Sequence, residues 1–314
     1  FYIIEEVIQQ IEKELTMKKY VNFVGIQNGQ YAGFARIHVL ASEIVAYTDN
    51  IIRSESLEKY LTSYQNKRAL NMDEIWNIGL FLWIAIIENI RQICEVIYVS
   101  QVEKFKVESI VERLVDLTPK QNQKFENQKT TKKLKIKTYD LKYPFIEYMS
   151  YRLKELGAKG EKYFDRLKDE AEKIGFTVEE AIIKEHMEIA KTTDYIGRAI
   201  LAYKQIQGIN FREIFEKVSK IDEDLRLDYT NEFKKCDYKT KSRYREYIIK
   251  LAKKYNLSEV YVAKKAVECS KKYKKHVGFF LIGEYRYLLK KELKKSYIGE
   301  VIYNKFIEPT KTVW

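Results

Sequence analysis

Proline and glycine are scarce in this chain, with 3 Pro and 12 Gly in 314 residues. Sheet proteins need frequent turns, and turns draw on these two residues, so their scarcity favours long helices with short connections. Cysteine is scarce too: Cys94, Cys236 and Cys269 are scattered and odd in number. That argues against a disulfide framework and fits a reducing compartment. Cys94 and Cys269 fall in apolar helical patterns, where a buried thiol behaves as a small hydrophobe. Long hydrophobic runs are missing as well. The longest, Ile78 to Ile87, has ten residues, against the roughly 20 that a spanning helix needs, so the most hydrophobic helix is expected in a core.

Motifs that carry chemistry are also missing. His38, His186 and His276 lie far apart and follow Ala35, Ile183 and Tyr273 at the position where a Glu-x-x-His ligand pair needs its carboxylate. There is no His-Glu-x-x-His, and each histidine is expected to be structural or on the surface. Gly25, Gly29 and Gly33 recur every four residues without the Lys-Ser or Lys-Thr of a phosphate loop. No Gly-x-Ser-x-Gly elbow occurs. Asp222-Glu223-Asp224 could hold a metal, but it sits within a helical charge pattern rather than at a strand end. Glu88 closes the apolar run. A buried acid there could be catalytic, but the plainer expectation is a buried ion pair with Arg91 one turn on, or with Arg36 of an earlier helix.

What is present is charge and tyrosine. The formal net charge is +12, with 25 Tyr and 15 Phe. Residues 118–140 carry seven Lys against Glu126 and Asp140, and residues 271–295 carry nine Lys or Arg against Glu284 and Glu292. These stretches hold net charges of +5 and +7 and account for the whole excess. Localised positive charge suits an anionic partner such as lipid head groups, nucleic acid or an acidic protein face. Tyrosine interleaved with lysine could stack on bases or sugars, although amphipathic packing is its commoner use. The plain alternative for the charge is a Lys-rich proteome.

The expected fold class is all-α, a multi-helix bundle-like domain of two helical halves joined by a basic linker. Residues 1–117 form the first half, around a buried central helix over 72–100 opened by an Asn71/Glu74 capping box, with a separate helix from Glu103 to Leu117. Residues 118–142 read as the basic linker or loop. The second half, 143–295, starts at Pro144, breaks at Gly157 and Gly160, and contains a long helix from a Thr177/Glu180 capping box to Gln207. Asn210 and Ser258 open further helices. Residues 296–314 read as a tail leading toward membrane spans. The chain opens on Phe1 rather than Met and reads as a piece of a longer polypeptide.

Five ordered segments carry a family resemblance: ARIHVLASEIVAYTDN (35–50), DEIWNIGLFLWIAIIENIRQI (73–93), the stretch from EHMEIAKTTDYIGRAILAYKQIQGINF to KIDEDLR (185–226), TKSRYREYIIKLAKKYNLSEVYVAKKA (240–266) and HVGFFLIGEY (276–285). Their order resembles the N-terminal region of bacterial cyclic β-1,2-glucan synthases. No single segment is a catalytic fingerprint; length and order carry the likeness, and residues 118–140 and the tail after Lys295 depart from it. The resemblance implies a parent enzyme of the inner membrane that polymerises glucose from UDP-glucose, closes the chain into a ring and trims it by phosphorolysis. The modules for those steps lie further along such polypeptides, so no catalytic, cofactor-binding or metal residue is expected in this segment. Consistently, it has no Gln-x-x-Arg-Trp signature of processive glycosyltransferases.

The resemblance implies a non-catalytic accessory or scaffold domain at the cytoplasmic face of the membrane, with the downstream glycosyltransferase and membrane modules of the same chain as its partners. β-1,2-Glucan and anionic lipid head groups are further expected contacts, the latter through Lys271, Lys272, Lys274, Lys275, Lys290, Lys291, Lys294 and Lys295. Two rival readings use the same residues. A basic helical nucleic-acid-binding protein is disfavoured because no recognition-helix spacing stands out. A stand-alone helical enzyme rests on Glu88 and Asp222-Glu223-Asp224 alone.

Overall fold

The computed structural model describes residues 2–116 and 141–306. Among the described residues it is all-α, with 15 α-helices and one isolated antiparallel bridge between Gly25 and Ala35. The first six helices are α1 (Tyr2–Glu14), α2 (Met17–Tyr20), α3 (Arg36–Tyr47), α4 (Ser54–Lys67), α5 (Met72–Trp76) and α6 (Ile78–Asp116). They are followed by α7 (Tyr143–Glu155), α8 (Ala158–Lys173), α9 (Val178–Gly208), α10 (Phe211–Val218), α11 (Lys220–Leu225) and α12 (Tyr238–Tyr255). The chain then forms α13 (Glu259–Tyr273), α14 (Gly278–Leu281) and α15 (Arg286–Phe306).

Local chemistry sets several helix starts. At α5 the Asn71 side chain accepts from the Glu74 amide while the Glu74 carboxylate accepts from the Asn71 amide, each at 2.8 Å. Thr177 and Glu180 repeat the exchange at α9, at 3.1 and 2.8 Å. Asn210, Asp237 and Ser258 cap α10, α12 and α13. Each such pair satisfies amides that have no partner within the helix.

Three element boundaries differ from expectation. The break before Glu103 is not there: α6 runs unbroken for 39 residues, because no proline or glycine follows Gly79 within it. The interruption falls instead at Asn77, which separates α5 from α6 with φ −96° and ψ 6°. Gly160 lies inside α8 rather than breaking the chain, and the reversal is at Gly157, whose φ of 58° suits glycine. Gly160 has a packing reason: a Cβ there would sit 1.9 Å from the Leu153 carbonyl oxygen.

The chain divides into two compact units. Among the described residues, one gathers 2–48, 52–85 and 204–306, and the other gathers 49–51, 86–116 and 141–203. This differs from the expected halves of 1–117 and 143–295. α6 and α9 each belong to both units, so neither unit is one continuous stretch of chain. The expected linker, 118–142, lies outside the described residues except for Leu141 and Lys142. Of the expected tail, 296–306 continue α15 and the rest lies outside them.

In the first unit the core is built from α3–α6 and α10–α15, with Ile37, Ile44, Leu57, Leu61, Phe81, Phe215, Phe233 and Phe280 fully buried. Two buried ion pairs cross it. Arg36 donates to Glu74 at 3.0 and 2.5 Å, and Arg245 grips Asp222 through Nε (2.9 Å) and Nη2. In the second unit Val107, Val111, Phe145, Ile146, Met149, Leu153, Leu167 and Ala181 form the core.

Candidate anionic-surface interface

The expected buried pair of Glu88 and Arg91 requires correction. The two side chains do pair, at 2.7 and 2.8 Å, but they are about half exposed, at 45% and 54%. Arg91 also pairs with Glu95, and these bonds, Glu88 first, push its guanidinium above its ordinary pKa. The reason is helical phase. The apolar run is longer than one helix face, and the buried set Ile78, Phe81, Leu82, Ala85 and Ile86 leaves Glu88 on the outer side with Arg91 and Glu95. Arg36, the other expected partner, is taken by Glu74. Cys94, expected in an apolar pattern, is exposed, not buried like Cys269, and Ile97 one turn on is exposed as well.

The acidic triplet does not converge. Asp222 is spent on Arg245, Glu223 pairs with Lys220 at 2.7 Å, and Asp224 is half-buried, its carboxyl raised by that burial against the opposing charge of Lys264. Three carboxylates with three separate surroundings cannot share one ion.

The basic stretch 271–295 forms a surface with a rigid base. All eight candidate lysines, from Lys271 to Lys295, are exposed, and among the described residues only Lys295 has a carboxylate partner, Glu292 at 3.3 Å. α13 and α15 run antiparallel: Tyr261 donates to Ser296 at 2.8 Å near one end, and Lys275 stands 4.8 Å over the Tyr285 ring near the other. The two lysine runs thereby meet around Glu292, whose carboxyl is held below its ordinary pKa by the Lys295 hydrogen bond and the nearby charges of Lys272 and Lys265. On α15, Tyr287, Lys290, Lys291, Lys294 and Lys295 recur at helical spacing on the outer side, opposite buried Leu289 and Leu293.

The corner that displays Lys271 to Lys275 is held from beneath by Asp228, a residue that sequence reasoning missed. α13 ends on Lys274, left-handed with φ 53°, and its amide returns to Ser270. Asp228, 2% exposed, then gathers the chain. Its Oδ1 accepts from the Val277 amide at 2.9 Å and lies 2.6 Å from the Ser270 hydroxyl. Its Oδ2 accepts from Thr230 at 2.7 Å and lies 2.6 Å from His276 Nδ1. Burial alone would raise this carboxyl; the Ser270, Thr230 and His276 hydrogen bonds outweigh it and hold the pKa below the ordinary value. His276, the structural or surface histidine of the sequence reading, is thus largely enclosed, with Nε2 3.1 Å from Tyr244 Oη. Tyr244 packs so closely on Gly278 that a Cβ there would meet its hydroxyl at 2.2 Å. Burial, first, and the neighbouring Cys236 and Asp228 push the Tyr244 hydroxyl up to about 12. The only sequence signal for this hub was a lone Asp three residues past the end of α11, which has no periodicity to distinguish it.

His186 stands 3.6 Å from Glu147, and His38 shares a 3.0 Å hydrogen bond with Tyr20. The other basic stretch, 118–140, lies outside the described residues. Among the described residues no helix is long and apolar enough to cross a membrane.

No family model matches the chain. The chain is 24% identical, over 306 residues and 94% of its length, to the cyclic beta-(1,2)-glucan synthase NdvB of Rhizobium meliloti (strain 1021), and it spans 10% of that protein's length.

Proposed function

We propose that this chain is a non-catalytic accessory region of a cyclic β-1,2-glucan synthase, a membrane-bound transferase that polymerises glucose from UDP-glucose. It braces the downstream glycosyltransferase and membrane modules at the cytoplasmic face of the bacterial inner membrane. The observation that carries this reading is the similarity to NdvB along nearly the whole chain. The two constellations that favoured a stand-alone enzyme support the accessory reading, since Glu88 is solvated in an ion pair and the acidic triplet is dispersed. No cofactor or metal is assigned to this segment.

The eight lysines give the region its orientation. Each lysine near an anionic leaflet contributes on the order of 1 kcal/mol of attraction, so several acting together hold this surface against lipid, and the positive-inside bias places them on the cytoplasmic side. A nascent-glucan contact is a further part of the proposal. It is favoured by Trp76, which is 39% exposed, stacked at 4.4 Å on Phe215 and flanked edge-on by Tyr238. A rigid indole face of this kind suits the apolar side of a sugar ring.

The test uses the synthase and the chain side by side. The synthase lacking this region should lose cyclic glucan in membranes while its transferase still hydrolyses or transfers from UDP-glucose. The isolated chain given UDP-glucose should release no UDP. Release of UDP by the isolated chain would show that the segment is itself catalytic.

A further inference from the structure

We propose that the α14 corner enters the lipid interface: Phe279 and Ile282 insert at the boundary between head groups and acyl chains of an anionic membrane while the neighbouring lysines hold its head groups. This deepens the lipid contact proposed above and rests on it.

α14 is a single turn, and its residues and the two that flank it divide by direction. Val277, Phe280 and Leu281 are fully buried, whereas Phe279 and Ile282, three residues apart on the outer side, are 42% and 41% exposed. Tyr273 and Tyr287 add exposed rings on either side. Lys271, Lys272, Lys274 and Lys275, all exposed, lead into the tip, and the Lys272 ammonium stands 5.4 Å over the Tyr273 ring. The Lys275 ammonium lies over the Phe279 ring at 5.4 Å and over the Tyr285 ring at 4.8 Å, and Phe279 and Tyr285 are themselves in edge contact at 6.1 Å. The patch is therefore apolar at its tip and cationic at its rim. Lysine stems of this kind lie along apolar surface and raise the charge to the phosphate level, while tyrosine favours the head-group layer.

Rigidity is the second element. The backbone on one side of the tip is fixed by Asp228 through Val277, Ser270 and His276, and Tyr244 closes over Gly278. On the other side, the Tyr285 amide returns to the Phe279 carbonyl and Arg286 donates to the Gly283 carbonyl. A tip that is held out in this way loses little conformational freedom on insertion.

Nucleic acid fits less well. A phosphate backbone offers nothing to Ile282. The stretch 271–295 also holds eight Lys but only one Arg, Arg286, whereas nucleic-acid contacts draw on the bidentate guanidinium.

The experiment compares the parent chain, the F279S/I282S variant and a Phe279→Trp variant on vesicles of phosphatidylcholine with and without phosphatidylglycerol, at low ionic strength. Binding should require the anionic lipid. The F279S/I282S variant should lose about tenfold or more in partition coefficient, with its melting temperature and its heparin binding unchanged. After subtraction of the parent's own tryptophan signal, the emission of the Phe279→Trp variant should shift to the blue on anionic vesicles and be quenched by lipid brominated on its acyl chains. If the vesicles bind but the introduced indole keeps its water-exposed emission and F279S/I282S binds as the parent does, insertion is wrong and the lysine contact stands. If anionic and neutral vesicles bind alike, or neither binds, both are wrong.

Discussion

Asp228 is a buried carboxylate of the first unit and Glu259 a partly buried one, and their surroundings drive them in opposite directions. Asp228 has four donors within reach, and its pKa is lowered. In the unfolded chain an aspartate titrates near pH 3.9, so the native state holds that proton less tightly. The stabilisation is fully present above about pH 4 and is lost as pH falls through the lower native value. Asp228→Asn should cost about 2–4 kcal/mol at neutral pH, because an amide turns a donor toward groups that themselves donate. Its stability should also fall less steeply than the parent's below pH 4, which urea titrations across pH would measure. Glu259 accepts from the Met72 amide at 2.8 Å, yet burial, first, with Asp73 and Glu74 nearby, pushes it up to about 6. The native state therefore binds this proton more tightly than the unfolded chain, and ionising Glu259 costs stability as pH rises between about 4.3 and 6. Glu259→Gln keeps a carbonyl for Met72 and removes the charge. It should be more stable than the parent by on the order of 1–2 kcal/mol at pH 7.5 and no more stable at pH 4. If it is less stable at pH 7.5, the carboxylate's attraction to the start of α5 outweighs its burial.

At the scale of elements, what could be read in the sequence was what lies close along the chain. The Asn71/Glu74 and Thr177/Glu180 boxes, the Pro144 start and the Ser258 cap each involve residues within about one turn, and all are formed. The buried pairs were not legible, because Arg36 reaches Glu74 across 38 positions and Arg245 reaches Asp222 across 23; no local pattern distinguishes those carboxylates from surface ones. Apolar spacing misled in α6, where Ile90, Ile93, Cys94 and Ile97 share one helix face but Cys94 and Ile97 are solvated. Thiol labelling exposes that difference. Cys94 should react with a maleimide at close to the rate of a free thiol, whereas Cys269, whose thiol burial pushes up, should stay protected until the chain unfolds. The α7–α8 corner offers a packing test. Gly160→Ala forces a methyl against the Leu153 carbonyl oxygen and should cost about 2–3 kcal/mol. A melt unchanged by Ala would mean that the two helices part easily.

At the scale of the molecule, the all-α class was legible from composition, but the division of the chain was not. A basic run in mid-chain suggested two halves in sequence order, whereas the contacts among the described residues join helices α1–α5 to α10–α15 in one unit. The first unit's early helices rely on late ones. Trp76 stacks on Phe215, the Gln65 amide donates to the Val218 carbonyl, the Ile52 amide donates to Gln205, and Met72 at the start of α5 depends on Glu259. A fragment of residues 1–117 would leave Ile75, Leu57 and Leu61 without the α10 side chains that cover this face, and it would leave Gln65 and the Met72 amide unpaired. Burial of that apolar surface is the main term set against chain entropy, so the fragment should be helical by far-ultraviolet dichroism yet melt without a cooperative transition and bind a hydrophobic dye. A fragment of residues 143–314 should behave likewise, having lost α3–α6, and mixing the two should restore one cooperative melt. A sharp transition in either fragment alone would mean that the sequence-ordered halves, and not the contact-defined units, are what folds.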